Sequence, residues 1–170
     1  DTVFRDGGKW TIDLPKPDVI INDPLLEILV EGMGHINFAQ FMLDRKGITD
    51  RVTLNGMTLM NWLIYSMPLG YDFMKSGSMA TRGLSNDKEG VFFTGHFNLT
   101  ETGDTYFDMS NYSKGVVFVN GHSLGRYWNI GPQQRLYCPA SWLKKGENEV
   151  IVLDLHQKEA APISGKMTLE

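Results

Sequence analysis

Two Asn-Gly pairs, Asn55-Gly56 and Asn120-Gly121, lie between short apolar runs and restrict the fold more than any other feature of the chain. An Asn-Gly centre favours positive φ at both positions, the type I′ turn whose twist matches that of two paired antiparallel strands. Each pair therefore predicts a hairpin, one over "RVTLNGMTL" and one over "GVVFVNGHSL". The same period-2 alternation, rich in β-branched and aromatic residues, recurs in "KWTIDL", "LLEILVE", "GVFFTGHFNL", "DTYFDM", "QRLYCP" and "NEVIVLDL". No stretch sustains a 3.6-residue period. The best helical candidate, "PASWLKK", reads as a single turn leading into the Gly146-Glu147-Asn148 bend. The expected class is all-β, an antiparallel β-sandwich.

At 170 residues and 42% hydrophobic, the chain can bury a real core in one domain or at most two small ones. Between Pro68 and Glu89 the sequence turns rich in Gly, Ser and polar residues, as a connector would. The expected division is residues 1–67, a connector over 68–88, and a sandwich over 89–170. The first part has only about four strand-like runs and would leave sheet edges unpaired, so it reads as incomplete alone.

The net charge of -4 is spread without long runs of one sign, which argues against nucleic acid as a partner and against an anionic membrane surface. No apolar run is long enough to span a bilayer, and the chain starts at Asp1 without a leader, as a mature or excised product would. Cys138 is the only cysteine, and its place in "RLYCPAS" suggests a small buried hydrophobe rather than a nucleophile. His35, His96, His122 and His156 show no metal-clamp spacing, so no metal is expected, and no phosphate-binding loop or dinucleotide fingerprint implies a cofactor. Asn98-Leu-Thr and Asn111-Tyr-Ser match the N-glycosylation triplet, which arises often by chance.

Retaining glycoside hydrolysis needs two carboxyl groups about 5 Å apart across a sugar. Glu27 and Glu31 would share a strand face but stand about 13 Å apart by strand rise. Asp104 and Asp108 have the same spacing, and Asp44 precedes Arg45 and Lys46 as in a surface turn. No catalytic pair is assigned. Arg126, Tyr127 and Trp128 follow the second hairpin directly. Aromatic faces stack on the C–H faces of pyranose rings, and a neighbouring Arg donates to hydroxyls, so the trio could cradle a sugar. In a strand, however, Tyr127 and Trp128 point to opposite faces and cannot line one flat platform without a bulge. At least one belongs to the core, which leaves a structural corner and a sugar-binding corner as alternatives.

The run "GVVFVNGHSLGRYWNIGPQQRLYCPASWLKKGENEVIVLDL" resembles the C-terminal galactose-binding-like, jelly-roll sandwich of the glycoside hydrolase family 35 β-galactosidases. Upstream, "LEILVEGMGHINFAQFMLDRKGITDRVTLNGMTLMNW" resembles the same family's preceding β-domain. The resemblance implies a (β/α)8 barrel in the same polypeptide that carries both catalytic glutamates, galactosides as ligands, and a periplasmic or secreted location. It also implies that the aromatic of the Met-Gly-x-x-Asn-[YF] motif approaches the barrel's galactose pocket, placing Phe38, with Asn37 beside it, at the rim. Gly32 and His35 stand where the family usually has Asn and Arg, which removes a five-donor cation, and Phe38 lacks the hydroxyl of the commoner Tyr. On pattern alone, Ile36, Phe38 and Phe41 could instead share a buried face. The implied function is that of a non-catalytic accessory portion of a β-galactosidase. The alternatives are a free-standing carbohydrate-binding module and a purely structural interaction domain.

Overall fold

The computed structural model describes residues 3, 7–8, 10–14, 24–32, 34, 36–79 and 90–169. The chain divides into two compact units, Asp1–Leu63 and Ile64–Glu170.

In the first unit the chain forms a 3-10 turn, Ala39–Leu43, and one hairpin of β1 (Thr53–Leu54) with β2 (Met57–Thr58). Asn55 and Gly56 take φ of 49° and 84°, the conformation that the Asn-Gly pair predicts. The alternating runs "KWTIDL" and "LLEILVE" are a departure from expectation: residues 10–14 and 25–31 form no paired strand. Period-2 alternation suits a chain to a sheet, but a strand needs a neighbour to complete its ladder, and the described residues of this unit supply none. None of the described residues of this unit is buried.

The second unit is a β-sandwich with a helix on its outer side. Its strands are β3 (Val91–Leu99), β4 (Thr105–Asp108), β5 (Lys114–Val119), β6 (His122–Trp128), β7 (Arg135–Cys138), β8 (Gly146–Asp154) and β9 (Ser164–Lys166). They form a four-stranded sheet in the order β3-β8-β5-β6 and a three-stranded sheet in the order β7-β4-β9, with antiparallel pairing throughout. Helix α1 (Tyr71–Met79) falls inside the segment expected to be a connector. Its sequence, "YDFMKSGSM", carries a glycine and two serines that disfavour helix, so packing rather than propensity holds it. Met74 is fully buried against Val116, Phe118, Ile151 and Leu153. Gly77 allows the close approach, since a Cβ there would lie 2.5 Å from Cζ of Phe92.

Every residue of β5 is buried, because one face meets α1 and the other meets the second sheet. Val117 joins Tyr127 and Val152 in the inter-sheet core with Met109, Tyr112 and Leu136. Val119 does the same with Phe107, Cys138 and Leu143. Burial on both faces explains why "GVVFV" is continuously apolar where a half-buried strand would alternate. The β5–β6 turn places Asn120 and Gly121 at φ of 47° and 86°. Asn120 then locks the hairpin to β8: its Nδ2 donates to Trp142 O at 2.8 Å and to Oδ1 of the buried Asn148 at 2.7 Å, and its Oδ1 accepts from Glu149 N at 3.0 Å. "PASWLKK" forms the single 3-10 turn expected of it, Ala140–Trp142.

Candidate functional site

The chain reaches Phe38 through Gly34, whose φ of 128° is one that side-chain-bearing residues rarely adopt. Phe38 itself is extended, enters the 3-10 turn, and is 73% exposed. Asn37 beside it is exposed. Ile36 and Phe41 are exposed too, so the alternative in which the three share a buried face does not hold. His35 lies outside the described residues. Just beyond, Met42, Leu43 and Ile48 together with Asp44, Arg45 and Lys46 line an open hollow of about 460 Å³.

At the second candidate, strand alternation separates the trio. Tyr127 is 1% exposed, its ring meeting Tyr112 edge-on with centroids 6.1 Å apart at 71°. Its hydroxyl donates to Asp154 Oδ2 at 3.0 Å, and burial, followed by the Asp154 charge, pushes its pKa far above that of an ordinary phenol. It is therefore a fixed neutral donor inside the core. Arg126 and Trp128 belong to the opposite face of β6. Arg126 is exposed, and Trp128 is half-buried with the Lys114 ammonium 4.1 Å from its ring centroid.

Asp154 is a residue that sequence reading passed over. It is fully buried, and its Oδ2 accepts from Ser113 N at 2.9 Å and Lys114 N at 3.3 Å as well as from Tyr127. Its Oδ1 accepts from His156 N and Gln157 N, both at 2.8 Å. The one available signal was an acid inside the apolar run "NEVIVLDL", where a charge is rare unless hydrogen-bonded.

Three further carboxylates of the sandwich are committed to structure. Asp104 accepts from Ala140 N at 2.8 Å and from the Tyr137 hydroxyl at 2.9 Å, and these two bonds hold its pKa below the usual range. Asp108 accepts from Ser110 N at 3.1 Å and faces Arg135 Nε at 3.4 Å, and its pKa is likewise lowered, chiefly by Ser110. Burial would raise the Glu149 carboxyl, but bonds from Lys75 and Tyr71 outweigh it and leave the pKa lowered. Cys138 is fully buried, and burial pushes its thiol up to about 11, which suits a core residue and not a nucleophile. Among the described residues no three His, Cys, Asp or Glu side chains come together as a metal site, and no helix is long and apolar enough to cross a membrane.

Residues 90–148 match the β-galactosidase galactose-binding domain, and residues 17–68 match the β-galactosidase first all-beta domain. The chain belongs to the β-galactosidase family. Phe38 lies in the first all-beta match, and Arg126, Tyr127 and Trp128 lie in the galactose-binding match. The rat beta-galactosidase-1-like protein 3 is 39% identical over 79% of this chain and 22% of its own length. The human beta-galactosidase-1-like protein 2 is 39% identical over 76% of this chain and 21% of its own length. Beta-galactosidase 17 of Arabidopsis thaliana is 36% identical over 85% of this chain and 23% of its own length. The chain thus spans about a fifth to a quarter of the length of the relatives it matches and corresponds to an accessory, non-catalytic portion of such enzymes.

Proposed function

We propose that this portion packs on a (β/α)8 catalytic barrel of the same polypeptide and shapes the mouth of its galactoside pocket. The observation that carries the reading is the surface of the first unit. Leu25, Phe38, Leu43, Met60 and Leu63 are 73–84% exposed there, and none of the unit's described residues is buried. A soluble surface does not sustain that much apolar area unless a partner covers it. The relatives supply some three quarters of a β-galactosidase beyond this stretch from which such a partner can come. Phe38, exposed at the entry to the 3-10 turn, is on this reading the residue of this surface that borders the sugar, as an aromatic wall positioning the pyranose ring.

The chain by itself is expected to give no hydrolysis of a chromogenic β-galactoside above a buffer blank, because on this reading both catalytic carboxyl groups belong to the barrel, while Asp104, Asp108, Glu149 and Asp154 here are held by protein partners. Turnover that disappears when one of the chain's own carboxylates is substituted would overturn the reading. A second reading, in which the sandwich itself binds galactosides as a carbohydrate-binding module, is favoured by the match of residues 90–148 to a galactose-binding domain.

A further inference from the structure

We propose that the free edge of β3 is a self-pairing surface, through which two copies of this chain join their four-stranded sheets into one continuous sheet. Among the described residues β3 has a ladder partner on one side only, β8, and the N–H and C=O groups of its far side meet no strand. Open edges invite pairing, and folded proteins blunt them with charge, brevity or a bulge. Three of the four edges of the two sheets are blunted in this way. The β5–β6 ladder shifts register between Val117 and Phe118, an irregularity that spoils the flat edge an added strand needs, and β6 carries Arg126. The other two, β7 and β9, have only four and three residues and carry Arg135 and Lys166. The β3 edge has none of these guards. It runs nine residues, "VFFTGHFNL", in unbroken register with β8, without lysine, arginine, carboxylate or proline.

Burial at this edge is also unfinished. Phe93 and Phe97 point into the sandwich, where their rings meet Tyr112 and Phe107 edge-on at 5.9 and 5.8 Å, yet both stay half-buried. The occupant that fits is a second copy, because the edge is complementary to itself. A two-fold axis through Gly95 pairs β3 antiparallel with its own copy. Phe93 then stands opposite the partner's Phe97 on the inner side, and Thr94 opposite the partner's His96 on the exposed side, each pair occurring twice. Aromatic pairs are favourable cross-strand neighbours, and no ammonium, guanidinium or carboxylate is set against its like. Gly95 brings no side chain to the axis, where the two strands meet residue on residue.

Light scattering of the full 170-residue chain over a concentration series provides the test. The expected result is a mass that rises from one chain to two and stops there, since a two-fold pairing closes on itself. Thr94 and His96 are both exposed, so substitutions there spare the core, and circular dichroism of each variant should match the wild type. Thr94→Lys with His96→Lys sets ammonium groups against each other twice and should raise the dissociation constant about tenfold or more. Thr94→Glu with His96→Lys opposes unlike charges at the same positions and should pair at least as tightly as the wild type. Both variants share the change at position 96, so the sign of the charge at position 94 alone decides between them. A chain that stays monomeric at every concentration, or an assembly that grows beyond two, would overturn the inference. So would a dimer that tolerates the pair of lysines, or one lost equally in both variants, because association would then not follow charge across this axis.

Discussion

The carboxylate of Asp154 accepts from four backbone N–H groups and one hydroxyl, and so ties the entry of β5, the middle of the inter-sheet core and the turn after β8 to one point. Asp154→Asn would turn an amide NH₂ toward groups that are all donors. It should lower stability by about 2–4 kcal/mol, measured by urea unfolding. Tyr127→Phe, which keeps the ring, should cost about 1–2 kcal/mol, whereas Tyr127→Ala should cost about 3–5 kcal/mol as a large-to-small core change. Trp128→Ala should cost clearly less than Tyr127→Ala, because its ring lies over Lys114 and not between the sheets. Strand alternation read from the sequence was enough to send Tyr127 and Trp128 to opposite faces. It could not say which of them faced the second sheet, because that depends on where Met109, Tyr112 and Leu136 arrive from distant parts of the chain.

Helix α1 is held on the sheet by Met74 and by the Glu149 carboxylate, which bonds Lys75 and Tyr71. The folded pKa of Glu149 is depressed, so this link contributes stability above the ordinary carboxylate value of about 4.3, and that stability is lost as pH falls through the lower folded value. Amide exchange in α1, corrected for its intrinsic pH dependence, should therefore stay slow from neutral pH down to the ordinary carboxylate range and accelerate only below it. Glu149→Gln should flatten this dependence. Gly77→Ala, although helix-favouring by propensity, should destabilise the unit, because the new methyl meets the Phe92 ring. Thermal unfolding would show whether propensity or the clash prevails. Elements with a local code were legible in advance: both Asn-Gly hairpins, the long β3 and β8, and the single turn at Ala140–Trp142. The helix was not, since its stability comes from Val116, Phe118, Ile151 and Leu153, residues far along the chain. The runs at 10–14 and 25–31 misled in the opposite sense, with strand-like alternation but no pairing strand.

At the scale of the whole molecule, the two units differ in how well they are buried: the second has three hydrophobic clusters, and the first has none of its described residues buried. Limited proteolysis of the isolated chain should therefore cut first on the N-terminal side of Ile64 and leave a resistant fragment close to Ile64–Glu170, identified by mass. Phe38→Ala should leave the melting temperature of the isolated chain within about 0.5 kcal/mol equivalent of wild type, as surface changes do. In an enzyme that contains the catalytic barrel, the same change should lower galactoside turnover or affinity.

The pairing of β3 with β8 runs unbroken from Val91 opposite Asp154 to Leu99 opposite Gly146, although most of the sandwich's sequence lies between the two strands. During synthesis, β3 leaves the ribosome roughly 50 residues ahead of β8, its one ladder partner among the described residues, a wait of roughly 3–10 s at ordinary elongation rates. Through that interval Phe92, Phe93 and Phe97 belong to an unpaired strand with no sheet to enter. The nascent chain is most open to wrong pairing then, and most in need of a chaperone, until Val150 to Leu153 emerge and close the ladder.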